Sequence, residues 1–563
     1  MIQHTTERHV SDAATARPTE PTGAERSWGD PNREPRERVE YALEHMTIEE
    51  RISRLVGLWV GADSSGPGVA PQQHDMSQDP PAWEDVIAGG LGQLTRPFGP
   101  RLVESGAGAR SLAASQAQIV AANRWGMPAL AHEEYLSGFA AWQATNYPVP
   151  LAWGDLLDDG WSPGPPTAPD AVDLDAERGR GLALRLAQES VVVLENSGIP
   201  RPLSGTGSIA VVGPRADGPM AMLGCYSFPA HVGVNHPDKG LGVEMPSLLD
   251  AFREEPPDRE IRYALGCDVL DPDRAGIEVA VGAARAAEVC VVAVGDRAGL
   301  VGRGTSGEGC DVQDLRLPGV EEDLVHALIA TGTPVVVVLL TGRPSALGAI
   351  VGEGGREGAS ALVQAFFPSQ LGVTTLARVV SGAVNPSGPI PVSVPREPGS
   401  QPGTYLSAPL GRRIEVSNLD PTPLFGFGHG LTYSSFAWSE AAVRGESHWR
   451  TDGRVRVGLS VTNTSSRPGT EVVQLYLHDP VAQVTRPVVR LIGYARLLLG
   501  PGSRPMSSSR WRRTSRTSRG ARVGGSWSRA LSSFGSGPLV WTFEASSHRS
   551  WRVRSVSCIT RGC

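Results

Sequence analysis

Five short apolar runs, VVVL in VVVLEN, IAVV, CVVAV, VVVVLL and ALVQAFF, constrain this chain more than any other feature. They are continuous rather than alternating, which is the pattern of strands buried on both faces. Helical stretches at about 175–190, 276–288 and 320–331, and LGVTTLARVV, separate or follow them. Strand and helix in alternation, with both strand faces apolar, predict a doubly wound or sandwiched α/β domain over 175–400.

The third run, Cys290–Val294, ends at Gly295 and is followed by a glycine-rich stretch, DRAGLVGRGTSGEGCDVQDLRLPG. A helix is expected after Pro318, with Val320, Leu324, Val325 and Leu328 on one face and Gly332 closing it. A strand, a long loop carrying an acid and a helix would put Glu308 at the carboxyl end of the sheet, where α/β proteins bind ligands. That pattern alone leaves Glu308 open between a ligand-facing acid and an ordinary surface glutamate. Residues 302–307, GRGTSG, match the spelling GxGxxG. A dinucleotide loop needs that triplet at the strand-to-helix turn, and here neither element abuts it, so the match is discarded.

The flanks read differently. Residues 1–36 are polar and are expected to form a disordered arm. Over 37–154 a helix (about 37–57), short βα-like pieces and an alanine-rich helix (110–124) lead to Met127–Ala131, a strand ending at His132-Glu133-Glu134. Residues 155–174 are a Pro/Gly-rich linker. Within 401–503 the code turns to period two (Val455, Val457, Leu459, Val461, and Val473, Leu475, Leu477), as in an immunoglobulin-like sandwich. Residues 504–563 hold fifteen serines, twelve arginines and one acid, Glu544. No periodicity is read there, and the tail is expected to be out of frame.

Composition removes several function classes. The net charge of −7 hides a body, 1–503, with 40 basic and 58 acidic side chains, so nucleic acid is an unexpected partner of the body. No run of 18 apolar residues occurs, so no membrane span is expected. The start, MIQHTTERHVSD, has no apolar export core, so a cytoplasmic protein is expected. Six cysteines without CxxC spacing predict reduced thiols, with no metal and no cofactor.

Several stretches together resemble glycoside hydrolase family 3, of the β-glucosidase and β-xylosidase type: MPALAHEE (127–134), TNYPVPLAWG (145–154), SVVVLEN (190–196), SGEGCD (306–311), FFPSQLG (366–372), NPSGPIPVSVP (385–395), FGFGHGLTYSSF (425–436) and VTNTSSRPGTEVVQLYLHDP (461–480). The resemblance implies a multidomain α/β plus β protein: a (β/α)8-type barrel, an α/β sandwich and a fibronectin type III-like β-sandwich. It implies a retaining β-glycosidase acting on β-linked oligosaccharides or aryl and alkyl β-glycosides, with Glu308 as acid/base, Glu134 on sugar hydroxyls and Arg96 lining the pocket. It also implies an aspartate nucleophile in a Ser-Asp-aromatic strand end. The sole Ser-Asp here is Ser11-Asp12, in the arm. About 118 residues, 37–154, stand where a barrel needs at least about 200, so a truncated remnant lacking the nucleophile, and an inactive chain, are expected. The rival readings are a non-catalytic carbohydrate-binding or scaffold protein, and an arginine-rich nucleic-acid binder acting through 504–563.

Overall fold

A computed structural model of the chain describes residues 27–30, 32–59, 82–99, 102–152, 173–197, 207–255, 259–352, 357–400, 403–411, 413–444, 448–450, 454–478, 484–503, 514–515, 539–545 and 550–552. These fall into two compact units. One lies within Met1–Glu134 and Ala140–Trp142; the other takes in Tyr135–Phe139, the stretch from Gln143, and the chain from Leu174 onward.

In the first unit, strands β1 (Gly57–Trp59), β2 (Gln93–Thr95) and β3 (Leu130–His132) form a parallel sheet in that order. Ile87, Leu91, Leu94, Ile119 and Ala129 make its core, with Trp83 and Leu112 packed against them. β3 is exposed along its length. The single helix expected over 37–57 is two, Pro35–His45 and Ile48–Ser53. Thr47 breaks it: its hydroxyl accepts the Glu50 N–H and Glu50 accepts the Thr47 N–H at 2.9 Å, a capping box that starts a new helix. Thr47→Ala is expected to cost about 1 kcal/mol. Amide exchange across Ile48–Ser53 should quicken roughly fivefold, and unchanged rates would show that the cap contributes nothing.

The arm expected over 1–36 is corrected at its end. Ser27–Gly29 forms a short 3-10 turn, and the Trp28 indole N–H donates to the Trp125 carbonyl at 2.8 Å beside Ala42 and Met46. One half-buried aromatic with its N–H bonded ties down an otherwise polar segment. Residues 1–26, and the linker apart from its last two residues, lie outside the described residues.

The second unit is built on a six-stranded sheet: β4 (Val192–Asn196), β9 (Ala361–Gln364), β8 (Val335–Leu340), β7 (Val289–Gly295), β5 (Ile209–Val212) and β6 (Ile261–Ala264), in that spatial order. β5 to β9 are parallel and β4 runs antiparallel at the edge. The continuous apolar runs are explained by two cores. Ala210, Val212, Val292, Val294, Val337 and Leu339 face one, with Ala280, Val281, Leu324 and Leu328 from the Ile277–Arg285 and Glu321–Ile329 helices. Val211, Val291, Ala293, Val336 and Val338 face the other, against Leu249, Phe252, Leu376 and Val379 from the Leu248–Glu254 and Gly372–Val380 helices. Alternate residues of β5, β7 and β8 thus feed opposite layers, and none of their buried positions is charged or amide-bearing.

This domain runs past residue 400. The N–H groups of Leu424 and Phe425 bond the Val394 carbonyl, and the Leu431 N–H bonds Val193 at 2.8 Å. A Pro/Gly-rich stretch that reads as a connection is pinned by backbone bonds to the edge of the α/β layer.

The sandwich strands are β10 (Phe436–Trp438), β11 (Ala442–Arg444), β12 (His448–Arg450), β13 (Arg454–Leu459), β14 (Val461–Asn463), β15 (Gly469–Leu477) and β16 (Arg490–Leu499). Val457, Leu459, Val461, Val473 and Leu475 are buried as their alternation predicts. Leu477 breaks the series. A register shift between Leu475 and Tyr476 turns it outward, 39% exposed.

The tail holds short strands where no periodicity is read in the sequence. β18 (Leu539–Ala545) pairs antiparallel with β13, placing Leu539, Trp541 and Phe543 opposite Leu459, Val457 and Val455. β17 (Thr514–Ser515) pairs with β18, and β19 (Ser550–Arg552) with β12. Within that segment LVWTFEA carries β-branched and aromatic content that the serine run at 507–509 lacks.

Candidate functional site

Three parallel strands end at one place. After β7 the chain runs Gly295-Asp296-Arg297 and enters the long loop; after β8 it runs Thr341-Gly342-Arg343; after β9 it runs Ala365-Phe366-Phe367. With the strand order found here, β5 and β7 flank the point where the winding reverses, and its carboxyl side is the ligand side of such a sheet. Glu308 lies on the loop leaving the carboxyl end of β7, and its residue is exposed.

The loop is held by its own backbone. The Gly299 N–H donates to Ser306 at 2.9 Å, Val301 to Glu308 at 2.8 Å and Thr305 to Arg297 at 2.8 Å, so two arms of chain lie side by side. Gly307, at φ +134°, lets them close: a Cβ there would sit 2.0 Å from the Gly299 carbonyl. The Tyr226 hydroxyl donates to Glu308 Oε2 at 2.5 Å. Sequence reading missed Tyr226, which lies in a stretch with neither strand nor helix periodicity. Beside it, Cys225 packs against Gly307, and burial pushes its thiol up.

Other stretches singled out by sequence meet close by. The Val149 N–H bonds the Phe367 carbonyl at 3.2 Å, the Asn146 N–H bonds Gln370 Oε1, and Gly224 closes on Val149. TNYPVPLAWG, through Val149, and FFPSQLG are thus neighbours within this unit. Phe366 and Ser369 both take positive φ, 53° and 65°. Strain of that kind persists where the surroundings over-determine a backbone, and it clusters at ligand sites.

Arg96 and Glu134 belong to the first unit. Arg96 is the cation expected to line the pocket. It is buried, with its guanidinium 3.9 Å from Glu133 and turned toward the Gly99 carbonyl. Glu133, which sequence reading passed over, accepts the Phe98 and Gly99 N–H groups, and burial pushes its carboxyl up against those bonds. It holds the TRPFG loop. Glu134, its half-buried neighbour, stays next to the strand end where it was expected.

Beneath the acid loop lies a set of buried charges. Glu321 is fully buried and accepts the Gly295 N–H at 2.8 Å. Arg215, buried after β5, is held by burial down to about 10, with Glu321 and Asp296 opposing that shift. Among the described residues no group of three His, Cys, Asp or Glu side chains could hold a metal ion, and no helix is long and apolar enough to cross a membrane. Cys225, Cys267, Cys290 and Cys310 are free thiols.

Residues 191–433 match the glycosyl hydrolase family 3 C-terminal domain, and 471–510 match a fibronectin type III-like domain. The chain is 34% identical over 345 residues to a β-xylosidase of Formosa agariphila, covering 59% of this chain and 44% of that protein. It is 33% identical over 382 residues to a periplasmic β-glucosidase of Salmonella typhimurium, covering 62% and 47%. It therefore spans about half the length of the curated relatives it matches. A solved β-glucosidase from Erythrobacter marinus, 21% identical, shares the fold with a TM-score of 0.68 over 85% of this chain and 93% of its own. Short as this chain is, its arrangement has a counterpart of similar extent among solved folds.

Proposed function

We propose, for a chain that belongs to glycosyl hydrolase family 3 through its C-terminal domain, that its ligand is a β-linked glucose or xylose unit. That unit would be borne on an oligosaccharide or an aryl or alkyl β-glycoside, and Glu308 is the acid that meets the glycosidic oxygen. The observation that carries this reading is Glu308 on an exposed loop at the carboxyl end of β7, with its carboxyl held by Tyr226. The β-xylosidase and β-glucosidase names of the relatives supply the sugar class. Glu134 is proposed to bind sugar hydroxyls, and 37–154 to descend from a longer barrel.

Chemistry by the retaining route needs a second carboxylate about 5–5.5 Å from the acid, on the other side of the scissile bond. Residues 37–154 hold no Ser-Asp-aromatic strand end to provide one. Without a nucleophile, the covalent step loses several orders of magnitude in rate. No hydrolysis of chromogenic aryl β-glucosides or β-xylosides is expected, while titration calorimetry with glucose or xylose would register binding. Turnover that vanishes in Glu308→Gln would overturn the inactivity and keep the acid. Neither turnover nor binding would sink the sugar reading altogether.

A further inference from the structure

Of the charged groups near the sheet's carboxyl end, two make bonds whose pattern has one evident use. Asp296 is the first residue past β7, and its side chain is 4% exposed. Its Oδ1 accepts the Thr305 hydroxyl at 2.7 Å, and its Oδ2 accepts the Gly342 N–H at 2.9 Å. Arg343, three residues past β8, lies 3.5 Å from Asp296 Oδ1 through Nη1. The same Nη1 donates to the Thr305 carbonyl at 2.7 Å, and Nη2 donates to the Cys310 carbonyl at 2.8 Å. Thr305 and Cys310 bracket the acid: the six residues between and including them carry Glu308. One guanidinium grips both ends of that segment, and one buried carboxylate grips its first residue and the root of the neighbouring strand.

We propose that Arg343 and Asp296 are positioning residues for Glu308: they fix the Thr305–Cys310 segment so that the carboxyl meets Tyr226 and the ligand in one orientation. This rests on the reading of Glu308 as the acid. Three observations make the clamp more than loop packing. The guanidinium spends two nitrogens on two carbonyls five residues apart in the chain, a planar fork that a point-charge ammonium does not reproduce. Both strands supplying the clamp are fully buried, so its roots are rigid. Gly342 closes the gap behind it: a Cβ there would lie 1.9 Å from Ser306 Oγ. Burial works against the charge on Asp296, while the Thr305 hydroxyl, the Gly342 N–H and Arg343 favour it.

The test reads geometry and needs no turnover. Fluorine NMR of the full chain labelled with 3-fluorotyrosine gives a Tyr226 resonance, assigned by its loss in Tyr226→Phe. Glu308→Gln should move that resonance. Arg343→Ala should move it in the same direction, and Glu308→Gln added to Arg343→Ala should move it no further. Arg343→Lys should fail to restore the original position, and Thr305→Val should give a smaller movement of the same sign. The proposal is overturned if Arg343→Ala leaves the resonance in place, or if Glu308→Gln moves it equally in both backgrounds. If Arg343→Ala disrupts the sheet, seen as lost β7 and β8 amides, Thr305→Val decides the matter, since it leaves both strands intact and removes only the hydroxyl that donates to Asp296 and accepts the Arg297 N–H. Failure of the sugar reading shows up separately, as absent calorimetric binding with the tyrosine coupling intact.

Discussion

Glu321→Gln is expected to make the central sheet progressively more stable than the parent as pH rises above about 4.5. Glu321 is fully buried, and burial raises its carboxyl well above the ordinary value of 4.5 despite the Gly295 N–H and the attraction of Arg215. The folded state thus binds this proton more tightly than the unfolded chain. Its contribution to stability is complete below about pH 4.5 and is lost as pH climbs through the folded value. Glutamine imitates the protonated form, keeps an acceptor for Gly295, and has no proton to lose. The gap between the two proteins should open at up to about 1.4 kcal/mol per pH unit. Exchange of the β7 and β8 amides, followed from pH 4.5 to 8, reads this sheet alone; parallel curves would refute it. Glu321→Ala should be worse at every pH, by roughly 3 kcal/mol, because it leaves a buried N–H unbonded and opens a hole beside Arg215.

Truncation after Ser503 is expected to open the sandwich. Six consecutive residues of β13, Arg454 to Leu459, are paired with the 539–544 stretch. Removing that partner leaves one edge of a six-residue strand, the edge away from β11, with unpaired N–H and C=O groups beside the buried Val457 and Leu459, a template for self-association. Amide protection across 454–459 should fall to near exchange-limited values, and the shortened protein should aggregate under conditions where the full chain does not. A monomeric truncation product with β13 still protected would show that the 539–545 pairing contributes nothing, and would restore the view that 504–563 is foreign to the domain.

These two expectations mark what a reader of residues can and cannot see. β7, β8 and the helix after Pro318 were legible because burial on both faces writes an unmistakable apolar run. Glu308 was legible as a glutamate on the long loop after β7. Tyr226 was not, since its position depends on how Cys225 packs on Gly307, a contact between segments eighty residues apart. Asp296 and Arg343 left a faint mark: a charged residue one to three places beyond a wholly apolar strand is at the carboxyl rim of the sheet. The contact between Arg96 and Glu133 was not legible, because a cation in a loop after a strand looks the same whether it faces solvent or a buried carboxylate. β18 was missed because a serine and arginine excess averaged over sixty residues drowns a seven-residue strand.

The long loop also has a property that follows from where it is rooted. The Asp296 N–H bonds the Leu340 carbonyl at 2.8 Å, so the last rung of the β7–β8 ladder and the first residue of the loop coincide. At its other end the chain returns directly to the Glu321–Ile329 helix. Nothing in the sheet's register depends on how many residues lie between. Doubling such a loop costs only about 0.6 kcal/mol in closure entropy. The stretch is a portable cassette: one carrying a hydroxyl for Asp296 and two carbonyls for Arg343 could be exchanged for another, changing what the protein recognises while leaving the layers beneath it untouched.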